Sequence, residues 1–538
     1  MTTASAPHPS GNLENLPTLL EARFGGSASL SKASDDADLI IDVAELSVLP
    51  ALCKYLFEEA GASFSGTIVE ESRREWNIRY LFLFRSGSWA YVTVRAPIET
   101  KTLPSIVAGV HAADWYEREA EDLFGLDFEG HPRLGDFVLH NEIWGEGLAP
   151  MRKAFDARQQ HFKQKPDKNW RPILVVQDPG AFAMPVGPVY EGGLGESIHF
   201  LLETVGEDVI RAVPRLFYKY RAVEKIAEGK PVSDVLLLAE RFSATSAFAH
   251  SLGFCQAVES AARTTIPVRA RRLRLVLCEL ERLRHHAGAI EGICQSTALS
   301  VSEAHAAIIE EQLLRASCAF TGHRYLFGLN TPGGLRRDFD EAGCRDLRLA
   351  VDTAASQLRY LEARLRYSSS FLDRLEDVGV VSPESARDLN LLGPVGRASG
   401  VCRDLRRVCP YAAYPEFRVE APCEQEGDGY ARLRVLFAEA QESARLIGEV
   451  IASLEPGEIQ TPLEQDSSGA ALGWVEAPIG AALHWVRLDS IARVERYRIL
   501  PPSFRNWHGF HVAVEDFAFQ DFPIILATFA LSAAECDR

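Results

Sequence analysis

Long stretches in the second half of the chain carry apolar residues at intervals of three and four, the period of an amphipathic helix. These stretches predict a bundle of long helices as the core of a mainly helical domain. Three apolar segments near the start alternate as strands do, and Ser86-Gly87-Ser88 between the last two predicts a hairpin turn. The predicted long helices are 234–262, 268–297, 302–325 and 338–378, and the predicted strands are 67–71, 78–84 and 89–94.

The first part of the chain combines these strands with two helical patterns, about 43–60 and 105–123. It therefore predicts a compact α+β domain, a small sheet with helices. A polar stretch with three prolines separates this domain from the helical part, which also holds peripheral β segments. The predicted organisation is a flexible tail 1–17, an α+β domain 18–153, a linker 154–184 and a mainly α domain 185–538 built on a long-helix bundle.

Composition narrows the classes of protein to consider. The chain has 538 residues, of which 47% are hydrophobic, so a normal buried core is expected rather than disorder. The formal net charge is -17, the opposite of the basic balance that nucleic-acid binding proteins show. We therefore expect no nucleic-acid partner.

The cysteines and the chain ends bear on compartment. None of the 10 cysteines forms a C-x-x-C pair or shows disulfide-style spacing, which predicts free thiols in a reducing cytoplasm. Residues 1–17 lack the charged start and apolar core of a signal peptide. The apolar run 522–534 is too short to span a bilayer, so membrane contact is expected only through partners.

One string in the first domain is specific. Residues 115–132 place a Glu-Arg-Glu helix before Asp, Phe-Gly and a Gly-His-Pro turn. An acidic helix alone is typical of a solvated face. As a whole the string resembles the signature of the C-type subunit of bacterial respiratory complex I, and 150–153 resembles the closing segment of that signature.

A series of strings in the second domain carries a second resemblance. In order and spacing they resemble the D-type subunit of complex I and the large subunit of membrane-bound nickel–iron hydrogenases of the formate-hydrogenlyase type. The resemblance implies a fused C-type/D-type subunit that works beside an iron–sulfur small subunit and membrane subunits. The strings are 187–190, 218–225, 279–286, 321–324, 333–334, 396–400, 404–406 and 476–480.

Two pairs of residues three apart stand out against this family. Ser243 and Ser246 lie in the stretch 239–250, and Ser532 and Glu535 lie near the C-terminus. Residues three apart share a helix face, although such pairs usually cap a helix or meet solvent. The resemblance implies that these four positions match the four cysteine ligands of the nickel–iron centre. Serine hydroxyls and a hard carboxylate cannot replace soft thiolates, so we predict that this chain binds no metal there.

The complex I branch implies a quinone cavity at the same place. Its quinone-binding histidine matches Tyr190, and its quinone-binding tyrosine matches Ala244. Both family groups are therefore missing here. Tyr190 could donate a hydrogen bond through its phenol or simply fill the vacated space. We keep Tyr190, Ser243, Ala244, Ser246 and Ser532 as the candidate acceptor cavity.

Four further residues are candidates for the cavity or a proton relay: Glu535, Glu279, Arg241 and His250. The family implies that His250 lies towards the iron–sulfur cluster of the small subunit, but a satisfied core histidine is an equal alternative. Glu279 could relay protons or pair with Arg282 as a structural ion pair. Burial of the C-terminus would raise the pKa of Glu535, unless Arg241 lies close enough to offset it.

These observations predict a large subunit of a membrane-associated, complex I-like or hydrogenase-like oxidoreductase. It would pass electrons from the iron–sulfur subunit to quinone or another acceptor without a nickel–iron centre. The alternative is a catalytically degenerate subunit that only couples the other parts. No dinucleotide fingerprint is present, so we expect no cofactor bound by this chain itself. The expected location is cytoplasmic, peripheral on the inner face of the cell membrane.

Overall fold

The chain divides into two compact units, Met1–Arg171 and Pro172–Arg538. The computed structural model describes residues 16–31, 37–145, 147–159, 161–163, 165, 167–171, 176, 179–187, 197–463 and 468–538. Of the predicted tail, residues 1–15 lie outside the described residues. The predicted linker is described only in part and stays a prediction.

The first unit is built on a five-stranded sheet of order β1-β2-β5-β4-β3, in which β2 and β5 are parallel and the other neighbours antiparallel. The three predicted strands are confirmed and extended as β3, β4 and β5. Their inward side chains form the core of this unit. Its elements are α1 Leu16–Phe24, β1 Ala28–Ser31, β2 Leu39–Val43, α2 Leu49–Lys54, β3 Ser63–Glu71, β4 Glu75–Leu83, β5 Trp89–Pro97, β6 Thr102–Pro104, α3 Asp114–Phe124 and β7 Asp127–Glu129.

The acidic helix α3 starts nine residues later than the pattern predicts, and it is buried. Glu117 accepts hydrogen bonds from the Ser105 hydroxyl at 2.6 Å and from the Ile106 amide at 2.8 Å. These contacts hold the segment before α3 in a non-helical course. Glu117, Arg118 and Glu119 are 1%, 7% and 4% exposed, so the interpretation of a solvated face is wrong.

The second unit is mainly helical, as predicted, with strands at its periphery. Among the described residues, no helix combines the length and the apolar character that a membrane crossing requires. Its elements are β8 Ala181–Val186, β9 His199–Val205, β10 Asp208–Arg215, α4 Val223–Ala227, α5 Val232–Arg241, α6 Ala247–Ala261, α7 Val268–Ser296, α8 Ser300–Thr321, β11 Asn330–Thr331, β12 Gly334–Leu335, α9 Glu341–Leu365, α10 Ser369–Leu372, α11 Pro383–Asp388, α12 Gly393–Ala398, α13 Leu405–Val408, α14 Gly429–Ala452, β13 Gly469–Ala477, β14 Gly480–Leu488, β15 Val494–Leu500, α15 Pro502–Val514, β16 Phe517–Ala518 and α16 Phe522–Phe529.

The long helices α7, α8, α9 and α14 form the bundle. Helix α7 packs against α8 and α14, and α9 packs against both α8 and α14. The side chains between them form one large apolar cluster. Three of these helices are predicted by the sequence pattern, whereas α14 is not, although it supplies several charged groups discussed below.

Two sheets border the bundle. One has the order β16-β10-β9-β8, and the other, β13-β14-β15, is antiparallel throughout. Helix α6 packs against β13 and β14. Strand β13 begins at Gly469, after a segment in which proline and glycine are frequent.

One pair of cysteines departs from the expectation of free thiols. Cys402 and Cys423 form a disulfide, with Cα atoms 5.3 Å apart. They lie 21 residues apart in segments that the fold brings together, so spacing gave no signal. The other cysteines take part in no disulfide among the residues that the structure describes.

Candidate functional site

The stretch that contains Ser243 and Ser246 is a break between α5 and α6, not one helix. The predicted helix 234–262 is therefore wrong at its middle, and the two serines do not share a helix face. Arg284 on α7 donates a hydrogen bond to the carbonyl oxygen of Thr245 at 2.6 Å. This contact from the bundle fixes the course of the break.

A buried carboxylate also holds the start of α6. Glu281 on α7 accepts hydrogen bonds from the amides of Phe248 at 2.7 Å and Ala249 at 2.9 Å. It thereby satisfies two of the amide groups that a helix N-terminus leaves without an intrahelical partner. Burial nevertheless outweighs these bonds and raises the pKa of Glu281 to about 7.

The C-terminal pair lies in a buried turn after α16. Ser532 is 3% exposed and Glu535 is 0% exposed, which confirms the predicted burial of this end. Helix α15 holds the turn. Its Ser503 hydroxyl accepts from the Ser532 amide at 3.2 Å, and its Trp507 indole donates to the Ser532 carbonyl at 3.3 Å.

Two bridges join the C-terminal turn to the break between α5 and α6. The Arg221 guanidinium donates to the carbonyl oxygens of both Phe242 and Ala534. His250, near the start of α6, places Nε2 at 3.3 Å from Oε1 of Glu535. The structure therefore brings the two predicted halves of the site together.

The charge state of Glu535 differs from the expectation. Burial alone would raise its pKa, but hydrogen bonds from His250 and from Ser503, whose amide lies 3.2 Å from Oε2, bring the pKa below the usual value. The Ser503 amide belongs to the first turn of α15, where the helix dipole also favours an anion. His250 and Ser503, rather than Arg241, thus offset the effect of burial on the pKa of Glu535.

The donor set does not fit a nickel–iron centre. Ser243 Oγ lies 3.0 Å from Thr245 Oγ1, and both carboxylate oxygens of Glu535 already accept hydrogen bonds. The hydroxyl of Ser246 is buried without a hydrogen-bond partner among the residues that the structure describes. None of these positions offers the soft thiolate that such a centre requires.

Two of the predicted site residues, Arg241 and Ala244, do not join this site in the structure. The Arg241 side chain is 59% exposed, and its guanidinium lies over the Phe327 ring at 5.7 Å. Ala244 is exposed as well. Tyr190 lies outside the described residues.

Glu279 belongs to a separate buried network. Its carboxylate contacts Arg406 at 3.1 Å and Arg282 at 3.3 Å, and it accepts hydrogen bonds from Ser443 and Tyr414. Burial raises its pKa, but the two arginines and two hydroxyls outweigh burial and bring it below the usual value. These contacts fix Glu279 as a structural anion in the centre of the bundle.

Helix α14 supplies a second carboxylate to the same network. Glu439 accepts from Arg397 at 2.6 Å and from His286 at 2.9 Å, and Arg282 lies 3.6 Å away. His286 is thereby a core histidine with its hydrogen-bond partner in place. Burial lowers its pKa despite the neighbouring Glu439.

Sequence reasoning missed the residues behind His250. His484 on β14 and Tyr497 on β15 continue the contacts of His250 away from Glu535. A histidine alone within the apolar run 481–486 was the available signal for His484. Nothing in the spacing pointed to Tyr497, because strand partners are set by the fold.

Comparison with family models finds two matches along the chain. Residues 43–161 match the model of the 30 Kd subunit of respiratory-chain NADH dehydrogenase, and residues 305–468 match the model of its 49 Kd subunit. The two matches lie in the first and the second unit, respectively.

Similar proteins come from two groups. The chain is 28% identical over 507 residues to formate hydrogenlyase subunit 5 of Escherichia coli, covering 93% of this chain and 89% of that protein. It is 27% identical over 575 residues to the fused C/D-type NADH-quinone oxidoreductase protein of Bdellovibrio bacteriovorus, covering 98% of this chain and all of that protein. A chain of the membrane-bound sulfane sulfur reductase, an archaeal respiratory membrane complex, shares the fold over 68% of this chain and 100% of its own, with a TM-score of 0.63 and 24% identity.

Proposed function

This chain is a fused homologue of the C- and D-type subunits of complex I-like enzymes and of formate hydrogenlyase-type large subunits, and we propose from this that it transfers electrons without a nickel–iron centre. It would form the large subunit of a membrane-associated oxidoreductase complex. It would take electrons from an iron–sulfur small subunit and pass them to quinone or another small acceptor. Contact with the membrane would come through the membrane subunits.

The observation that supports this proposal is that buried side chains able to exchange protons occupy the site, although the cysteine ligands are absent. Glu535 and His250 are both fully buried and in contact. Burying a carboxylate and an imidazole is costly, and a scaffold would be as stable with apolar side chains there. Groups that can exchange a proton are what the reduction of a quinone or a similar acceptor requires.

One observation favours the alternative, a protein that only couples the other parts of the complex. The Phe242 ring packs against the His250 ring with centroids 4.5 Å apart, and Phe242 is 3% exposed. An aromatic ring at this place reduces the room for an acceptor beside the four ligand positions.

The experiment is acceptor reduction by the purified intact complex. The iron–sulfur clusters are reduced with dithionite, excess reductant is removed, and cluster reoxidation is followed after addition of a short-chain quinone or of polysulfide. Electron transfer through this site predicts rapid reoxidation by at least one acceptor, slowed about tenfold or more in Glu535→Gln. The control is Glu129→Gln, an exposed carboxylate of the first unit. Clusters that stay reduced, or equal rates in wild type and Glu535→Gln, would support the coupling role.

A further inference from the structure

Four buried side chains that can exchange protons form an unbroken row of hydrogen-bond contacts starting at Glu535. Glu535 Oε1 lies 3.3 Å from His250 Nε2, and His250 Nδ1 lies 3.0 Å from His484 Nε2. His484 Nδ1 lies 2.7 Å from the hydroxyl of Tyr497. All four residues are 0% exposed. We call them the Glu535–Tyr497 chain.

The fold leaves space for the Glu535–Tyr497 chain between α6 and the sheet. His250 lies on α6, and His484 lies on β14 opposite Gly473 of β13. A Cβ atom on Gly253 of α6 would come within 2.5 Å of the His484 ring, and one on Gly473 would come within 2.0 Å of the Gly253 carbonyl oxygen. The two glycines therefore let α6 approach the sheet closely enough for the two imidazoles to touch.

The two ends of the chain determine where its protons lie. Glu535 is an anion that accepts on both oxygens, so His250 must donate from Nε2. A neutral His250 then accepts on Nδ1, which requires His484 to donate from Nε2. A neutral His484 in turn accepts on Nδ1 from the Tyr497 hydroxyl. In this state all three hydrogen bonds are directed towards Glu535.

A single added proton has a defined place in the chain. If His250 becomes an imidazolium, its Nδ1 donates to His484, and His484 then donates from its own Nδ1 to the Tyr497 oxygen. The hydrogen bond between His250 and His484 and the one between His484 and Tyr497 reverse together, and none of the three hydrogen bonds in the Glu535–Tyr497 chain is lost. The added charge lies against the Glu535 carboxylate, which compensates it.

We propose that the Glu535–Tyr497 chain stores one proton and delivers it through Glu535 to an acceptor bound at Ser243, Ser246 and Ser532. The proposal rests on the function proposed above, because it needs an acceptor that is reduced at this site. It assigns His484 and Tyr497 as positioning residues that act through His250. The buried hydroxyl of Ser246, which has no partner among the described residues, is available to such an acceptor.

The carboxylate of the Glu535–Tyr497 chain lies at its His250 end. The groups that face His250 are Glu535 from the C-terminal turn, His484 from β14 and the Phe242 ring from the break before α6. Burial and the neighbouring His250 hold the pKa of His484 well below its usual value. Of the two histidines, His250 has the carboxylate as its direct partner.

Tyr497 is suited to end the chain as a neutral phenol. Burial and the charge of Glu224 raise its pKa well above the usual value, with Cys255 acting in the same direction and Arg538 against it. Tyr497 therefore keeps its proton at any physiological pH and can only reverse its hydroxyl. The stored proton therefore cannot leave at the Tyr497 end, because that would require Tyr497 to become a phenolate.

The proton balance is simple for a quinone acceptor. A quinone takes up two electrons, which the iron–sulfur cluster of the small subunit supplies, and two protons. For each proton, the N–H bond of the His250 imidazolium breaks and Glu535 becomes an acid. The O–H bond of that acid then breaks as one forms on a quinone oxygen, so Glu535 is again an anion and His250 is neutral. Each transfer leaves His250 with its remaining proton on Nδ1, so a proton taken up through Glu535 at Nε2 restores the loaded state before the second transfer.

The test uses His484→Gln and Tyr497→Phe in the intact complex. The glutamine amide can donate to His250 and accept from Tyr497, so His484→Gln preserves the two hydrogen bonds. An amide does not exchange a proton as an imidazole does, so the two bonds cannot reverse their direction together. The phenylalanine removes the last hydroxyl of the chain. Tyr80→Phe is the matched control, because Tyr80 in the first unit is a fully buried phenol whose hydroxyl has no hydrogen-bond partner among the described residues.

Two readouts separate this proposal from the proposed function. Reduction of a short-chain quinone should slow about tenfold or more in His484→Gln, with KM unchanged and the loss greatest at high pH, while Tyr80→Phe stays at the wild-type rate. Nitrogen-15 NMR of histidine-labelled full chain should show both His250 and His484 with the proton on Nε2 at high pH. On acidification both signals should change with a single midpoint.

The results that would overturn the proposal are equally distinct. A wild-type rate and pH profile in His484→Gln and Tyr497→Phe, in a complex that reduces quinone, would exclude proton delivery by the chain. Separate midpoints for His250 and His484 would exclude the chain as a unit whatever the complex reduces. A wild-type complex that reduces no acceptor would contradict the proposed function and delivery with it, even with the coupled NMR signals in place.

Discussion

At the residue scale, the second unit buries its charges in hubs where one carboxylate meets several cations. Glu224 contacts Arg496, Arg498 and Arg538 at 3.0 to 3.3 Å. Burial works against its charge, but the three arginines bring its pKa down to about 2. Each hub costs desolvation energy that only complete pairing offsets, so removing one member should cost far more than losing a surface pair.

Glu439 gives the sharpest test of this point. Glu439→Gln takes the negative charge from a group that contacts Arg397, Arg282 and His286. The two buried arginines keep Glu476 and Glu279 as partners, but each loses one of its carboxylates. We expect a loss of about 3 to 5 kcal/mol in unfolding free energy, measured by urea unfolding of the full chain. The control is Glu449→Gln on the same helix, whose pair with Arg445 is largely exposed and should contribute less than about 1 kcal/mol. Equal losses in the two variants would contradict the account of the hub.

Glu117 in the first unit predicts a pH dependence. Burial raises its pKa to about 7 despite hydrogen bonds from Ser105 and Ile106. The folded protein therefore keeps this proton at a pH where the unfolded chain has lost it, so stability falls as pH rises towards 7. In Glu117→Gln the amide can donate to Ser105 and accept from Ile106. We expect this variant to match wild type at pH 5 and to exceed it by about 2 kcal/mol at pH 8.

The measurement for Glu117 is thermal unfolding of the full chain at both pH values. Glu129→Gln, which changes an exposed carboxylate nearby, should follow wild type at each pH. A difference between Glu117→Gln and wild type that is the same at pH 5 and pH 8 would show that Glu117 is ionised throughout.

At the element scale, the close approach of α6 to the sheet is the feature that builds the site. Gly253→Ala would place a methyl group 2.5 Å from Cδ2 of His484. Overpacking of this kind costs about 1 to 3 kcal/mol, more than the roughly 1 kcal/mol that alanine gains over glycine in a helix. We expect a lower thermal midpoint for Gly253→Ala.

Gly292 on α7 provides the matched control for that change. No atom lies within 4 Å of the Cβ that Gly292→Ala would add. The same substitution should therefore stabilise the protein by about 0.5 to 1 kcal/mol through helix propensity alone. A Gly253→Ala protein as stable as Gly292→Ala would mean that α6 does not pack on β14 as described.

The elements also show what could be predicted from the sequence. Helical spacing predicted α7, α8 and α9, because their apolar residues recur at helical intervals, although α7 is buried on all sides over Leu273–Ala287. The same spacing predicted α5 and α6 as one helix, because the break at 242–246 is imposed by Arg284 and Glu281, which lie far away in sequence. The spacing did not predict α14, because the buried positions of that helix include Arg432 and Glu439, which interrupt the apolar pattern.

The candidate site was predictable only in part for the same reason. The strings at 239–250 and 531–538 located its two halves, because their order along the chain matches a known arrangement. The partners of His250 were not predictable, because His484 and Tyr497 reach it through sheet register and two glycines on different elements. The pKa of Glu535 is lowered by the hydrogen bond from His250 and by Ser503, and no side-chain pattern reveals the contribution of the Ser503 amide.

At the scale of the whole molecule, two units that match separate family models are present in one chain. The first matches a 30 Kd subunit model and the second a 49 Kd subunit model, and both hydrogenase-type and quinone-type relatives span most of the length. The two groups of relatives carry different names, a formate hydrogenlyase subunit and an NADH-quinone oxidoreductase subunit, and length alone does not distinguish between them. The proposed function rests on the residues at the site, which are three serines and a glutamate. Ser243, Ser532 and Glu535 already take part in hydrogen bonds, and none of the four offers a thiolate.

Nickel content of the purified intact complex tests this account most directly. Elemental analysis by plasma mass spectrometry, referred to the amount of this chain, should find no stoichiometric nickel, because Ser243, Ser246, Ser532 and Glu535 offer no thiolate. Hydrogen-dependent dye reduction should be absent in the same preparation. About one nickel per chain would contradict the account, since the site would then hold the metal centre that its donor set is argued to exclude.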